Sequence, residues 1–158
     1  MGVTPRREQV VQAIEAAFAD APYPGDRRIG FDPDDAEAAQ LDAHFRGLSW
    51  RNVPQDVLQR HADHLPFFSA EGLRYFLPAY LLAGLSGDTD TLAFTVYELE
   101  PGEGPLREHW LRRYRLLSPA QRNAVRLWLE YVREALPADT DTEAITSALG
   151  RVWSHERG

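Results

Sequence analysis

The 158-residue sequence contains no cysteine and no lysine. Without cysteine the chain can form no disulfide, no thiolate metal site and no cysteine nucleophile. This composition suits a reducing compartment, and the N-terminal segment has no apolar stretch of signal-peptide length. We therefore predict a cytoplasmic protein. All 17 basic residues are arginine, which codon bias in a GC-rich bacterial genome would explain without reference to function.

Basic residues are also scarce relative to acidic ones, 17 against 24, which gives a formal net charge of −7. Proteins that bind nucleic acid in bulk use a basic surface to neutralise phosphates. The charge therefore predicts no nucleic-acid partner, and it favours encounter with a basic protein instead.

No apolar run is long enough to cross a bilayer, which takes about 20 residues. The most apolar segment, 67–85, has the sequence FFSAEGLRYFLPAYLLAGL and is interrupted by Glu71, Arg74 and Pro78. We predict no membrane association and interpret the segment as a buried helix with Ser69 as its N-cap.

Long alternation of apolar and polar residues is absent too, so the sequence predicts a single all-α domain over 1–158, with at most a minor strand. We expect about seven or eight helices. Their start signals are Thr4 with Pro5, Asp32 with Pro33, Pro54, Ser69, Ser118 with Gln121, and Thr140 with Glu143. The segment 91–99 fits either a strand or a helix.

Pro78 lies in the middle of the predicted central helix. Proline in a helix interior removes one hydrogen bond and crowds the preceding turn, which costs about 3 kcal/mol or more. We expect a kink that shapes the core. A pocket beside the kink is the functional alternative, with Glu71 and Arg74 one turn apart and suited to pair. Its candidate residues are Trp50, Glu71, Arg74, Tyr75 and Tyr80.

Acidic residues concentrate between positions 20 and 42. Helix capping and solubility explain most such clusters, and a surface for a basic partner is the alternative. The candidate partner surface comprises Asp26, Asp32, Asp34, Asp35, Glu37 and Asp42.

The densest basic segment is 106–117, LREHWLRRYRLL, where arginines are interleaved with Trp110 and Tyr114. Such a pattern can follow a nucleic-acid strand. The two aromatic residues nevertheless fall at core spacing with Leu106 and Leu117. We therefore expect them to be buried, with the arginines on the solvent face.

No motif specifies a reaction. His61 and His64 lie three residues apart, but the familiar metal-binding spacing is His-Glu-x-x-His, and no third ligand is evident. We interpret them as part of a partly exposed helix face and predict no metal and no cofactor. The segment GLSGD at 84–88 lacks the last glycine of a nucleophile elbow and is interpreted as a helix end and turn.

Four segments together resemble a known family: PYPGD at 22–26, FRGLSW at 45–50, FFSAEGLRYFLPAYLLAGL at 67–85 and LSPAQRNAVRLWLEYV at 117–132. The pattern is similar to that of a bacterial family catalogued only as a domain of unknown function. The resemblance implies a small, mostly helical bacterial protein, and it brings no activity and no catalytic residues.

Three functional hypotheses follow. The preferred one is a non-enzymatic protein-binding module, in its most concrete form an immunity or antitoxin-like neutraliser of a basic toxin. Its motivation is small size, acidic charge and the lack of a catalytic constellation. The alternatives are a small-molecule-binding protein with a pocket near Pro78, and an unrecognised enzyme that uses His61, His64 or nearby carboxylates.

Overall fold

The computed structural model describes residues 4–154, which form a mostly helical bundle without a sheet. Its α-helices are α1 (Arg7–Phe18), α2 (Ala36–Phe45), α3 (Gln55–Arg60), α4 (Ala70–Leu85), α5 (Thr89–Leu99), α6 (Arg107–Tyr114), α7 (Pro119–Ala135) and α8 (Thr142–Arg151). Three 3₁₀ segments accompany them: Trp50–Asn52, Leu65–Phe67 and Pro137–Asp139. An isolated antiparallel bridge joins Gly30 and Phe68. The predicted all-α class is confirmed.

Helix α4 is the centre of the bundle and packs against α1, α3, α5 and α6. The Ser69 hydroxyl caps it by accepting a hydrogen bond from the Gly72 amide at 2.9 Å. The helix continues through Pro78, which is buried, to Leu85. Over residues 4–154 no helix is both long enough and apolar enough to cross a membrane.

Helices α1 and α7 pack against each other although they lie at opposite ends of the sequence. The apolar stripe of α1, Val10, Ile14 and Phe18, is fully buried. Helix α7 begins with the predicted capping box, in which Ser118 and Gln121 each bond the other's backbone amide. The start of α7 was therefore correctly predicted from local sequence alone.

A close approach fixes the loop before α2 against the start of α4. The Ser69 amide donates to the Ile29 carbonyl at 2.8 Å. A Cβ atom on Gly72 would lie 2.2 Å from that same carbonyl oxygen, so only glycine fits there without backbone movement. The Asp42 carboxylate accepts hydrogen bonds from the amides of Ile29 and Gly30 on the other side of the loop, each at 3.0 Å.

Two helices start later than predicted. Helix α1 begins at Arg7 and not after Thr4, because the Gln9 side chain accepts from the Arg6 amide at 2.8 Å and makes that residue the N-cap. Helix α2 begins at Ala36 and not at Pro33. Asp32 instead accepts from the Asp34 amide in a local turn, which postpones the helix until Asp35 caps it.

The segment 91–99, which fitted either a strand or a helix, belongs to helix α5, whose N-cap is Asp88. Helix α8 is capped by Asp141, which accepts from the Ala144 amide at 3.0 Å. The predicted cap, Thr140, uses its hydroxyl to bond the Leu136 carbonyl of the preceding turn. The capping box predicted with Glu143 is therefore wrong.

Candidate functional site

The most exposed aromatic surface lies along α5. Tyr97 is 78% exposed and Phe94 is 45% exposed. Both face a region that also contains Trp110 of α6, which is half-buried. Single exposed apolar residues are normal on a protein surface, but a group of aromatic residues beside a cavity is a feature of binding sites.

Two cavities meet at Tyr97 and Trp110, which line both of them. The larger, of about 770 Å³, lies between α5, the loop after it and the start of α8. All charged residues on its walls are acidic: Glu100, Glu103, Asp139 and Asp141. We refer to this cavity together with the smaller one described next as the acidic cleft.

The smaller cavity has a volume of about 220 Å³ and mostly apolar walls. Phe94, Tyr97 and Trp110 form one part of it, and Leu65 and Pro66 form another. The two charged residues that line it are again acidic, Asp63 and Glu98. Asp63 is exposed, whereas Glu98 is 1% exposed.

Glu98 forms a buried ion pair with Arg113, which also donates to the carbonyls of Leu65 at 3.0 Å and Phe68 at 3.3 Å. The pair uses the Oε1 atom of Glu98, and the Oε2 atom is buried without a hydrogen-bond partner. Arg113 also stacks over the ring of Trp110 at 4.9 Å. The prediction that the arginines of this segment lie on the solvent face is therefore wrong for Arg113.

The electrostatics of Glu98 follow from its position. Burial raises the pKa of Glu98 to about 7, and the charge of Arg113 offsets part of this rise. A buried carboxylate is costly to ionise unless all its lone pairs are satisfied. Because its Oε2 atom has no partner, Glu98 does not meet this requirement.

A second polar cluster is a chain of three histidines. His61 lies between His44 and His64, with its Nε2 atom 2.7 Å from His44 Nδ1 and its Nδ1 atom 2.8 Å from His64 Nδ1. The Nε2 atom of His64 is 3.5 Å from a carboxylate oxygen of Asp63 and 4.0 Å from one of Glu37. His61 itself is fully buried, so the expectation of a partly exposed helix face is wrong for it.

The chain of histidines suits proton exchange better than metal binding. Burial, followed by repulsion from His64, His44 and Arg60, lowers the pKa of His61 to about 4. A neutral imidazole can accept a proton at one nitrogen and donate at the other. Over residues 4–154 no three His, Asp or Glu side chains are arranged to hold a metal ion, because the imidazoles follow one another and do not converge on one point.

A comparison with protein-family models returned a match that covers residues 6–157. The chain belongs to DUF6714, a family of unknown function. This confirms the predicted membership of an uncharacterised family. No curated protein and no solved structure matched the chain.

In this DUF6714 chain, Trp50 is the first of the five residues predicted to line a pocket near Pro78. Trp50 lines a cavity of about 320 Å³ together with Ala79 and Ala83 of α4. Its other lining residues are Arg51, Val53, Gln55, Leu58, Leu82, Ser86 and Asp88.

The remaining four candidates all belong to α4. Tyr80 is fully buried, and its hydroxyl donates to the His61 carbonyl at 2.9 Å. Tyr75 packs edge-on against Tyr23. Glu71 is exposed, and in the described part of the chain it forms no ion pair with Arg74. The Nε atom of Arg74 is buried without a hydrogen-bond partner.

Most residues of the predicted acidic partner surface have partners within the chain. Asp35 caps α2, Asp42 holds the loop at 29–30, and Asp26 accepts from the Tyr23 hydroxyl at 2.6 Å. Asp32 forms a turn, and Glu37 faces the histidine chain. The sixth residue, Asp34, is exposed.

Sequence reasoning missed Glu98, Arg113 and His44. One signal for Glu98 was present, because Thr91, Thr95 and Glu98 form a stripe beside the apolar stripe Leu92, Val96 and Leu99, and all six are buried. A polar stripe next to an apolar one widens the face that a helix can bury. The partners of these residues come from distant helices, and no local pattern identifies them.

Proposed function

We propose that this protein is a non-enzymatic protein-binding module that captures a basic segment of a partner protein in the acidic cleft. The observation that carries the proposal is the composition of the cleft walls. They combine exposed aromatic side chains with six carboxylates and no basic side chain.

The aromatic part of the cleft supports a protein partner. Tyrosine and tryptophan are enriched in protein interfaces, because they bury a large area and lose little conformational freedom. Tyr97 leaves most of its surface available to such a contact. Trp110 is the only tryptophan within residues 4–154 that is not classed as buried, since Trp50, Trp128 and Trp153 belong to the core.

The charge of the cleft supports a basic partner. Opposite charge on two surfaces speeds their encounter and selects against wrong partners. Several of the carboxylates also have structural roles: Glu103 pairs with Arg151, and Asp141 caps α8. Asp139 and Asp63 are exposed and add to the negative potential at the surface. The proposal places this function in a cytoplasmic bacterial setting, in keeping with a cysteine-free, acidic chain.

A selection of random peptides displayed on phage would test the proposal. The purified protein is immobilised, and the enriched peptides are then titrated against the wild type and the Tyr97→Ser variant. We expect enriched peptides to carry arginine or lysine beside an apolar residue, and to lose about tenfold or more in affinity for Tyr97→Ser. Leu116→Ser is the matched control, because Leu116 is also exposed but lines neither cavity. Peptides without basic residues, or equal binding to both variants, would refute the proposal.

The most specific form of the proposal is neutralisation of a basic toxin. It is tested by co-expressing the protein with any toxin encoded next to its gene. Wild-type protein and Leu116→Ser should restore growth, and Tyr97→Ser should restore it less well. Absence of a complex between the purified pair would refute this specific form.

A further inference from the structure

We propose that the smaller cavity is a recognition pocket for a guanidinium group, supplied by an arginine side chain of the partner. This inference rests on the proposed function and adds to it the chemistry of the residue that is recognised. Its starting point is the buried carboxylate of Glu98 at the cavity wall.

Glu98 has one oxygen that the protein does not satisfy. Its Oε1 atom is paired with Arg113, while Oε2 is buried without a partner. A buried acceptor that lacks a donor carries a desolvation cost that a bound donor would remove. Glu98 lines the smaller cavity, and the proposal requires a donor bound there to reach the Oε2 atom. A cationic donor suits this position best, since hydrogen bonds between ionised groups are the strongest.

The walls of the cavity favour guanidinium over ammonium. Phe94, Tyr97 and Trp110 present aromatic surface, and a guanidinium group stacks on aromatic faces and is less strongly hydrated than an ammonium group. The protein already contains one example of this contact, because Arg113 lies over Trp110 while it pairs with Glu98. Asp63 lines the same cavity and supplies a second carboxylate.

The size of the cavity fits one arginine side chain. Its volume of about 220 Å³ corresponds to about seven water molecules at about 30 Å³ each. An arginine side chain has seven heavy atoms beyond Cα. The larger cavity, which shares Tyr97 and Trp110, then lies where the backbone and neighbouring residues of the partner would continue.

The test compares blocked tripeptides that differ in one group. Acetyl-Gly-Arg-Gly-amide is titrated into ¹⁵N-labelled protein beside the same peptide with citrulline, which has nearly the same shape without the charge, and with lysine. The indole N–H of Trp110 reports on the cavity. We expect the arginine peptide to shift this resonance and to bind about tenfold more tightly than the citrulline peptide. The lysine peptide should bind more weakly than the arginine peptide.

Three variants locate the effect. Glu98→Gln retains an oxygen for Arg113 but removes the charge, and Phe94→Ser changes a side chain that is 45% exposed. Both should weaken the arginine peptide about fivefold or more, and Leu116→Ser should leave its affinity unchanged. If Glu98→Gln fails to fold, Phe94→Ser alone decides the matter. Equal affinity for arginine and citrulline would overturn the proposal.

Ethylguanidinium, with ethylurea as its neutral counterpart, distinguishes a guanidinium group on a partner's arginine side chain from one on a free small molecule. Weaker binding of ethylguanidinium than of the arginine peptide supports a partner's side chain, and equal binding overturns that assignment. The two proposals can fail separately. Displayed peptides that depend on Tyr97 but leave the Trp110 resonance unshifted would refute the guanidinium pocket and leave the protein-binding function standing.

Discussion

The buried histidine His61 makes a quantitative prediction about acid stability. In the folded protein its pKa is lowered from the ordinary value of 6.5 to about 4, first by burial and then by His64, His44 and Arg60. The unfolded chain therefore binds a proton on His61 as the pH falls through 6.5, and the folded protein does so only near pH 4. Because the unfolded state binds more protons in this range, the free energy of unfolding must fall with the pH.

The size of the effect follows from the two values. They differ by about 2.5 pH units, and one unit is worth 1.36 kcal/mol, so His61 contributes about 3 kcal/mol of stability above pH 6.5 that is lost towards pH 4. Replacement by leucine removes the titration and keeps an apolar side chain of similar size beside Phe45, whose ring centre lies 5.5 Å from that of His61. The backbone carbonyl of residue 61 still accepts from Tyr80.

Urea unfolding followed by circular dichroism measures this difference directly. We expect the wild-type protein to lose about 2 to 3 kcal/mol more than His61→Leu between pH 7 and pH 4.5. Titrating groups outside the histidine chain are shared by the two proteins, so their effects cancel in the comparison. Leu116→Ser is the control, because it changes an exposed side chain that carries no titratable group, and its stability should follow the pH dependence of the wild type. Parallel curves for wild type and His61→Leu would refute the reasoning.

Three further predictions concern stability. The raised pKa of Glu98 makes the folded protein less stable as the pH rises, so Glu98→Gln should gain stability relative to the wild type between about pH 4.5 and pH 7. Arg113→Met should cost about 3 to 5 kcal/mol because it leaves Glu98 buried without its partner. Urea titrations at pH 5 and pH 8 test both variants, and a stability difference between Glu98→Gln and wild type that does not change with pH would contradict the first prediction. Gly72→Ala should lower stability by about 1 to 3 kcal/mol or more because its Cβ would meet a backbone carbonyl. Gly150→Ala, which has open space around it in α8, should raise stability by about 0.5 to 1 kcal/mol. Equal effects of the two substitutions on thermal unfolding would count against the close approach at Gly72. Ser118→Ala should cost about 1 kcal/mol through loss of the N-terminal cap of α7, and an unchanged melting temperature would show that the cap is dispensable.

The elements that the sequence predicted well are those with local signals. Ser69 and Ser118 cap α4 and α7 as expected, because a cap depends on residues three positions apart. Thr140 was predicted as a cap from the same kind of signal, but its neighbour Asp141 was used instead. Adjacent polar residues compete for one amide, and tertiary packing chooses between them.

The candidate site was mostly missed because it depends on contacts between distant segments. Glu98 and Arg113 meet where α5 and α6 both pack against α4, and His44 reaches His61 from α2. The sequence favoured the residues around Pro78 instead, since an interior proline is conspicuous in a sequence. In the structure that region is largely core, whereas the exposed Phe94 and Tyr97 lie on α5, which could not be assigned as helix or strand.

The packing of α1 on α7 has a consequence for synthesis of the protein. About 100 residues separate Phe18 from Pro119, so at about 5 to 20 residues per second α1 leaves the ribosome about 5 to 20 seconds before its partner helix exists. During that interval Val10, Ile14 and Phe18, which the finished protein buries completely, have no α7 to cover them. Nascent chains arrested before residue 119 should therefore be cleaved by protease within α1, and chains arrested well beyond residue 135 should be protected there.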